Sequence, residues 1–316
     1  MTKNLQRIEK DVPLTCVGLK LREYLKEELE LSTRFMRKSA LDKRIFINEK
    51  PVKLDYILRE GDRIRILLVT EETQYMDPEE LPLDVLYEDD ALLIVNKDAH
   101  MVVHPTPTHK TGTLSNAVLH HYRAKGEATI IRLVSRLDMN TSGLIILAKN
   151  QYVHSRISKD MQDEAYDKYY VALVKGDFPE DVHLIDLPIY RVGEGVLNRI
   201  IDERGQESRT KVRVLEKKEG YSLLLLKLLT GRTHQIRVHL SHLGYPILGD
   251  ELYGGEMDRI DRQALHALYV SFIHPVSEKP MTAFAPLKPD LLALGNALGF
   301  QMERIKPELM TEDRNR

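Results

Sequence analysis

At residues 135–150 the chain reads SRLDMNTSGLIILAKN. An Arg-Leu-Asp step leads into turn-forming residues and then into an unbroken apolar run. The run GLIILAK has the length and composition of a strand. If VSRLD is extended, Arg136 and Asp138 project to one face while Leu137 points to the core. Asn140, Thr141, Ser142 and Gly143 then make a sharp turn, with side-chain oxygens available to hold the loop's backbone. A carboxylate beside so much apolar sequence must find a partner, because burying a lone charge is expensive. Asp138 is therefore either an Asx-turn residue with satisfied hydrogen bonds or a carboxylate held at the mouth of a strand for chemistry. A fixed carboxylate is well suited to act as a nucleophile or a base.

Outward from this stretch, strand signals recur at VLYED, ALLIVNK, YVALVKG, KVRVLEK and YSLLLLKLL, and helical patterns at TLSNAVLHHY and THQIRVHLSHLG. Strands and helices do not alternate regularly. The expected fold class is α+β, with a mixed, largely antiparallel sheet and flanking helices over residues 84–304.

Before this lies a smaller α/β module, residues 14–70. Leu21, Leu25 and Leu29 recur at helical spacing, and Ser32 is placed to cap a second helix through RFMRKSAL. Ile45 and Ile47, then Ile64, Ile66 and Leu68 after a Gly61–Asp62 turn, alternate as in strands. Between Arg34 and Arg65 there are ten Lys/Arg and five Asp/Glu, although the whole chain carries a net charge of −2. Arg34, Arg37 and Lys38 crowd the second helix, as a solvated face or as a surface for phosphates. From Glu71 to Asp90 the sign flips to nine acidic residues and no basic one. Residues 71–83, with Pro78 and Pro82, read as an extended acidic linker, and 305–316 as a disordered tail.

The single cysteine, Cys16, cannot form an internal disulfide, which favours a reducing, cytoplasmic setting, and it reads as a small buried hydrophobe. The N-terminus lacks the apolar core of a secretory signal, and YSLLLLKLL is too short to cross a bilayer. There is no GxxxxGK[ST] loop, strand-coupled GxGxxG, HExxH, CxxC or nucleophile elbow. His234, His239 and His242 read as polar contacts on a helix flank and not as metal ligands. The stretch TGRTHQIRVHLSHLGYPILGD (230–250) turns at Gly231 and opens a helix with an Ile236–Leu240–Leu243 stripe. His234, Arg237 and Ser241 lie on the opposite side, and Arg232 and Arg237 put fixed charge beside a helix start that favours anions.

These residues carry a family likeness. SRLDMNTSGLIILAKN resembles the HRLDxxTSGLLLxAK signature of the RluA-type pseudouridine synthases. KYYVALVKG (168–176) is similar to that family's K-x-Y-x-A motif, and LTGRTHQIRVHLSHLGYPILGDELYGG to its third motif. NKDAHMVVHP and ALHALYVSFIHPVSEKPMTAFAPLKPDL are similar to further family segments. The basic first module resembles the S-four type RNA-binding domain, with Asn48-Glu49-Lys50-Pro51 where that family commonly has an Asn-Gly turn. The resemblance implies conversion of uridine to pseudouridine in RNA, most simply in large-subunit ribosomal RNA, without metal or cofactor and with no protein partner implied. It makes Asp138 the nucleophile, Tyr170 the residue that stacks on uracil and serves proton transfer, and Arg237 the partner of Asp138. Arg136 would contact RNA and help displace or replace the target base. Apart from the resemblance, Arg232 and His234 at the helix start and Arg34, Arg37 and Lys38 on the basic helix are further candidate RNA contacts. Ser135 stands where the family usually has histidine. The competing readings are the same chemistry on transfer RNA, or a non-catalytic RNA-binding or ribosome-assembly factor.

Overall fold

The computed structural model describes residues 7–68, 76–161, 166–193 and 195–306. The first module begins earlier than expected, because β1 (Arg7–Asp11) pairs antiparallel with a later strand. Its short, charged sequence RIEKD gives little strand signal, and only Ile8 is buried. After it come α1 (Leu21–Glu27) and α2 (Thr33–Leu41), then β2 (Ile45–Ile47), β3 (Lys50–Pro51) and β4 (Arg63–Leu67), in a sheet of order β1-β4-β2-β3. Ser32 caps α2 by accepting from the Phe35 amide at 3.2 Å. Asn48 and Glu49 both take positive φ, the backbone of the tight turn that an Asn-Gly pair favours. Cys16 is buried in this module's own core with Leu21, Leu25, Ile45, Ile64 and Ile66.

The second unit is built on a nine-stranded sheet. Its strands are β5 (Val85–Glu88), β6 (Leu92–Lys97), β7 (Ser142–Ala148), β8 (Asp167–Lys175), β9 (Leu184–Asp186), β12 (Arg209–Lys218), β13 (Tyr221–Leu228), β14 (Leu265–Ile273) and β15 (Pro280–Phe284). A separate hairpin pairs β10 (Ile189–Arg191) with β11 (Arg199–Ile201). The sheet runs β5-β6-β7-β14-β8-β13-β12-β9, with β15 alongside β14. Among the described residues only the β7–β14 contact is parallel. The mixed, largely antiparallel α+β architecture is the expected one. Among the described residues four helices flank it: α3 (Leu114–Ala124), α4 (Gln151–Asp160), α5 (Gln235–His242) and α6 (Pro289–Ala297). Strands β6 and β7 are buried along their whole length, which is why their sequences are apolar runs and do not alternate.

Several boundaries shift. Residues 71–75 of the expected linker lie outside the described residues. Its remainder has no regular structure but is not a free spacer, since Met76 and Leu83 pack on the second core and Asn116 donates to the Asp77 carbonyl. Ile305, assigned to the tail, is buried in that core, and 307–316 lie outside the described residues. The two units touch through Glu30, paired with Arg156 and Lys159 of α4, through Lys10 and Glu278, and through Phe35 against Tyr152. No helix among the described residues is long and apolar enough to cross a membrane.

Candidate active site

The turn after Arg136-Leu137-Asp138 closes one step earlier than its sequence suggests. The Thr141 amide donates to the Asp138 carbonyl at 3.1 Å, and Ser142 and Gly143 already belong to β7. Arg136 is exposed, Leu137 buried and Asp138 partly exposed, the alternation expected of extended chain. Gly143 has φ +110°, and a Cβ there would lie 2.2 Å from the Ala267 carbonyl oxygen. Only glycine lets β7 approach β14 so closely. Ala267 also pairs with Tyr170 on its other side. Gly143, Ala267 and Tyr170 thus form a row across three strands, with Gly143 and Tyr170 roughly 10 Å apart at the usual strand spacing. This row brings the Asp138 turn and the K-x-Y-x-A strand to the same part of the sheet.

The third stretch arrives on α5. That helix is not the two-faced surface helix its sequence suggests: Gln235 through Leu240 are all buried, while Leu243 of the expected apolar stripe is exposed. Helix α5 packs against the sheet and also under the β10–β11 hairpin, so both its sides are covered. Arg237 is buried and holds two carboxylates. Its Nε and Nη2 donate to the two oxygens of Asp250, each at 2.7 Å, and its Nη1 donates to Asp138 Oδ2 at 2.9 Å. The Asp250 side chain is fully buried, whereas that of Asp138 is 28% exposed. The expected Arg237–Asp138 pair is present, but the bidentate partner of the guanidinium is Asp250. Burial depresses the Arg237 pKa, yet hydrogen bonds and charge from Asp250 and then Asp138 outweigh it and hold the guanidinium above its usual range.

His234, at the N-cap of α5, adopts φ 58°, ψ 18°, a conformation uncommon outside glycine. Its Nε2 lies 3.8 Å from Asp138 Oδ2, and its Nδ1 lies 2.9 Å from the Tyr253 hydroxyl. Burial pulls its pKa below the ordinary histidine value; Asp138 opposes the fall, and Arg237 and Arg199 add to it. The shift favours the neutral imidazole. Lys97, buried at the end of β6, donates to the carbonyls of Asp98, Met101 and Met139 at 2.6, 3.0 and 2.8 Å. This ties the NKDAHMVVHP segment to the turn that carries Asp138. Burial first, then Arg262, lowers the Lys97 pKa to about 7 against the pull of Asp138.

Tyr170 is 5% exposed, and burial, with Tyr166 and Asp138 adding, pushes its phenol far above the ordinary value. It is a neutral phenol at any physiological pH. The Lys168 ammonium sits 5.2 Å from the centroid of the Tyr170 ring and donates to Ser135 Oγ at 3.3 Å. Burial lowers the Lys168 pKa to about 8. Ser135, where the family has histidine, is thus a neighbour of the K-x-Y-x-A lysine.

Of the residues singled out from sequence, Asp138, His234 and Arg237 meet directly, and Tyr170 feels the charge of Asp138. Arg232 is exposed beside them, its Nε on the Glu207 carbonyl. Arg34, Arg37 and Lys38 lie on the exposed face of α2, in the other unit. His239 is buried between Thr210 Oγ1 and the Leu187 carbonyl. Among the described residues no group of three or more His, Cys, Asp or Glu could hold a metal ion. Sequence reading did not single out Asp250, Tyr253 or Lys97. The signal for Asp250 was a carboxylate straight after the apolar PILG, the same mismatch that drew attention to Asp138.

Comparison with known proteins agrees. The family model described as RNA pseudouridylate synthase matches residues 91–242. A Bacillus subtilis protein named as an uncharacterized RNA pseudouridine synthase, YjbO, is 37% identical over 249 residues, 78% of this chain and 88% of that one. The ribosomal large subunit pseudouridine synthase D of Escherichia coli is 31% identical over 93% of this chain and 94% of its own. Among solved structures, human RNA pseudouridylate synthase domain containing 1 superposes with a TM-score of 0.56 at 30% identity, over 69% of this chain and 90% of that one. The class these likenesses define is an isomerase that acts on RNA. The chain belongs to the RNA pseudouridine synthases, of the RluA type that its motifs resemble.

Proposed function

We propose that this RNA pseudouridine synthase modifies uridines of large-subunit ribosomal RNA and that Asp138 is its nucleophile. The observation that carries the assignment is the way Asp138 is held. Arg237 Nη1 donates to Oδ2 at 2.9 Å, and His234 Nε2 lies 3.8 Å from the same oxygen. Among the described residues no hydrogen bond reaches Oδ1, which leaves that oxygen for the substrate.

The isomerisation breaks the bond between N1 and the ribose anomeric carbon, turns the uracil, and joins C5 to the same carbon. N1 ends with a proton and C5 loses one, so atoms and oxidation level balance. Asp138 attacks the anomeric carbon or assists the departure of the base, and in either case its charge stabilises the separated intermediate. Arg237 keeps that carboxylate oriented. Tyr170, whose ring lies beside Lys168, takes the role of stacking on the uracil and contributes a neutral hydroxyl for proton transfer. Arg136, exposed two residues before Asp138, contacts RNA and helps displace the base, which must leave its stack at a cost of a few kcal/mol. Arg232 adds a phosphate contact. The first module, of S-four type, supplies Arg34, Arg37 and Lys38 as a separate phosphate-contacting surface.

The ribosomal substrate is supported by the names of curated relatives, ribosomal large subunit pseudouridine synthases D from several bacteria. A ribosomal target and a lone buried thiol fit a cytoplasmic enzyme. Two measurements test the proposal. Asp138→Asn preserves size and removes charge, so folding and RNA affinity should stay near wild type while turnover vanishes; appreciable pseudouridine formation by the purified variant would refute the nucleophile. Mapping pseudouridines in cells with and without the protein should show sites lost from large-subunit RNA. Loss confined to transfer RNA would overturn the substrate assignment.

A further inference from the structure

Tyr253 touches three parts of the site at once. Its ring lies 5.0 Å from the Arg237 guanidinium and meets the His234 ring edge-on at 5.7 Å and 82°. Its hydroxyl lies 2.9 Å from His234 Nδ1 and accepts from the Arg199 amide, at the start of β11, at 2.8 Å. Its carbonyl accepts from Ser241 Oγ at 2.8 Å. The short 3-10 turn that carries it, Glu251–Tyr253, follows directly on Asp250, the bidentate partner of Arg237.

The hydroxyl has one proton to give. With the Arg199 amide already donating to its oxygen, the acceptor for that proton among the described residues is His234 Nδ1. A neutral imidazole that accepts at Nδ1 carries its proton on Nε2. That N–H then faces Asp138 Oδ2, the oxygen already held by Arg237. The other tautomer would aim a lone pair at a carboxylate, which is repulsive. The left-handed backbone of His234 is the kind of local strain that persists where the surroundings require one orientation.

We infer that Tyr253 is a positioning residue of the reaction: its hydroxyl fixes His234 as an Nε2–H donor toward Asp138 Oδ2, while its ring packs on the Arg237 guanidinium. The inference rests on Asp138 as nucleophile for its catalytic meaning, but the tautomer of His234 is a property of the free enzyme. The same hydroxyl anchors the β10–β11 hairpin, so the site and that hairpin are joined at one atom.

Tyr253→Phe keeps the ring and removes the hydroxyl. Nitrogen-15 NMR of histidine-labelled full-length protein, with His234→Gln to assign the signal, should report the Nε2–H tautomer in the native enzyme and a mixture in Tyr253→Phe. The single-turnover rate at saturating RNA should fall about tenfold, with RNA affinity within about twofold. His234→Gln retains a donor but no Nδ1 acceptor. Because the hydroxyl acts through His234, adding Tyr253→Phe to His234→Gln should cost little more, whereas independent roles would multiply. An unchanged tautomer in Tyr253→Phe, multiplying rate losses, or a loss appearing only in RNA affinity would each overturn the inference. Should Tyr253→Phe not fold, the native tautomer decides alone, and Nδ1–H would sink the idea. Turnover by Asp138→Asn would instead remove the nucleophile and leave the tautomer result standing.

Discussion

At the scale of single residues the site is a contest over one guanidinium. Arg237 serves a fully buried carboxylate, Asp250, with two bonds and a partly exposed one, Asp138, with a third. Removing the arginine alone leaves Asp250 charged, buried and unpaired, which costs ~3–5 kcal/mol when a buried pair is broken. Arg237→Gln should therefore lower stability and activity together, and activity alone could not tell the two apart. Adding Asp250→Asn removes the stranded charge. The double variant should recover most of the stability, read by urea denaturation, yet stay slow, because Asp138 still lacks its donor. Recovery of the rate along with stability would mean that Arg237 acts through the fold only. The sequence made Asp138 and Arg237 legible because charges interrupt apolar runs there and the motifs resemble a family. Tyr253 gave no such signal. Its importance comes from a turn that folds back onto α5, and a tyrosine in LYGG looks like any other.

Among the elements, the central strands could be read directly because β6, β7 and β13 are long apolar runs with turns at their ends. The hairpin β10–β11 and strand β9, three residues each and with exposed positions, could not. The helix α5 misled for the opposite reason. It looked two-faced, but a sheet and a hairpin cover both sides, so its polar residues are buried in satisfied contacts. The β7–β14 junction, which sets where the Asp138 turn sits, depends on such a contact. His266 on β14 donates from Nε2 to the Ala285 carbonyl at 3.1 Å and accepts at Nδ1 from Ser142 Oγ at 2.9 Å. Burial, opposed by the Ala285 carbonyl and helped by Arg262, lowers its pKa to about 3. An unfolded histidine titrates near ~6.5. Below that value the unfolded chain takes up a proton that the folded chain refuses until about pH 3. Stability is thus complete above ~6.5 and is lost as pH falls, at up to ~1.4 kcal/mol per unit from this residue. His234 and His239, whose pKa values are also lowered chiefly by burial, act in the same direction. His266→Gln should be less stable at pH 7 but show a flatter decline between pH 6.5 and 4.5. An equal slope in both proteins would mean that His266 is not held neutral at this junction.

For the molecule as a whole, the question is what the first unit adds to a catalytic unit that has its own core. Helix α2 buries Phe35 and Met36, and Phe35 lies against Tyr152 of α4. That contact turns the remaining face of α2, with Arg34, Arg37 and Lys38, outward. The ion pairs between the units, Glu30 with Arg156 and Lys159 and Lys10 with Glu278, are exposed, and such pairs contribute ~0–1 kcal/mol each. The apolar contact through Phe35 and Tyr152 therefore does more than the charges to set how the basic face is presented. If that face binds RNA, its contribution is the release of counterions from phosphates. Each contact then adds ~0.7–0.9 to the slope of log affinity against log salt. Changing Arg34, Arg37 and Lys38 together to glutamine leaves the buried side of α2 intact. The slope should drop by up to ~2–3, and the Michaelis constant for RNA should rise most at low salt. The rate at saturating RNA should hold, because Asp138, Arg237 and His234 belong to the other unit. Equal slopes for the variant and the native protein would make this face merely solvated, and a fall in the saturated rate with equal slopes would place the role of α2 in the contact with α4 instead.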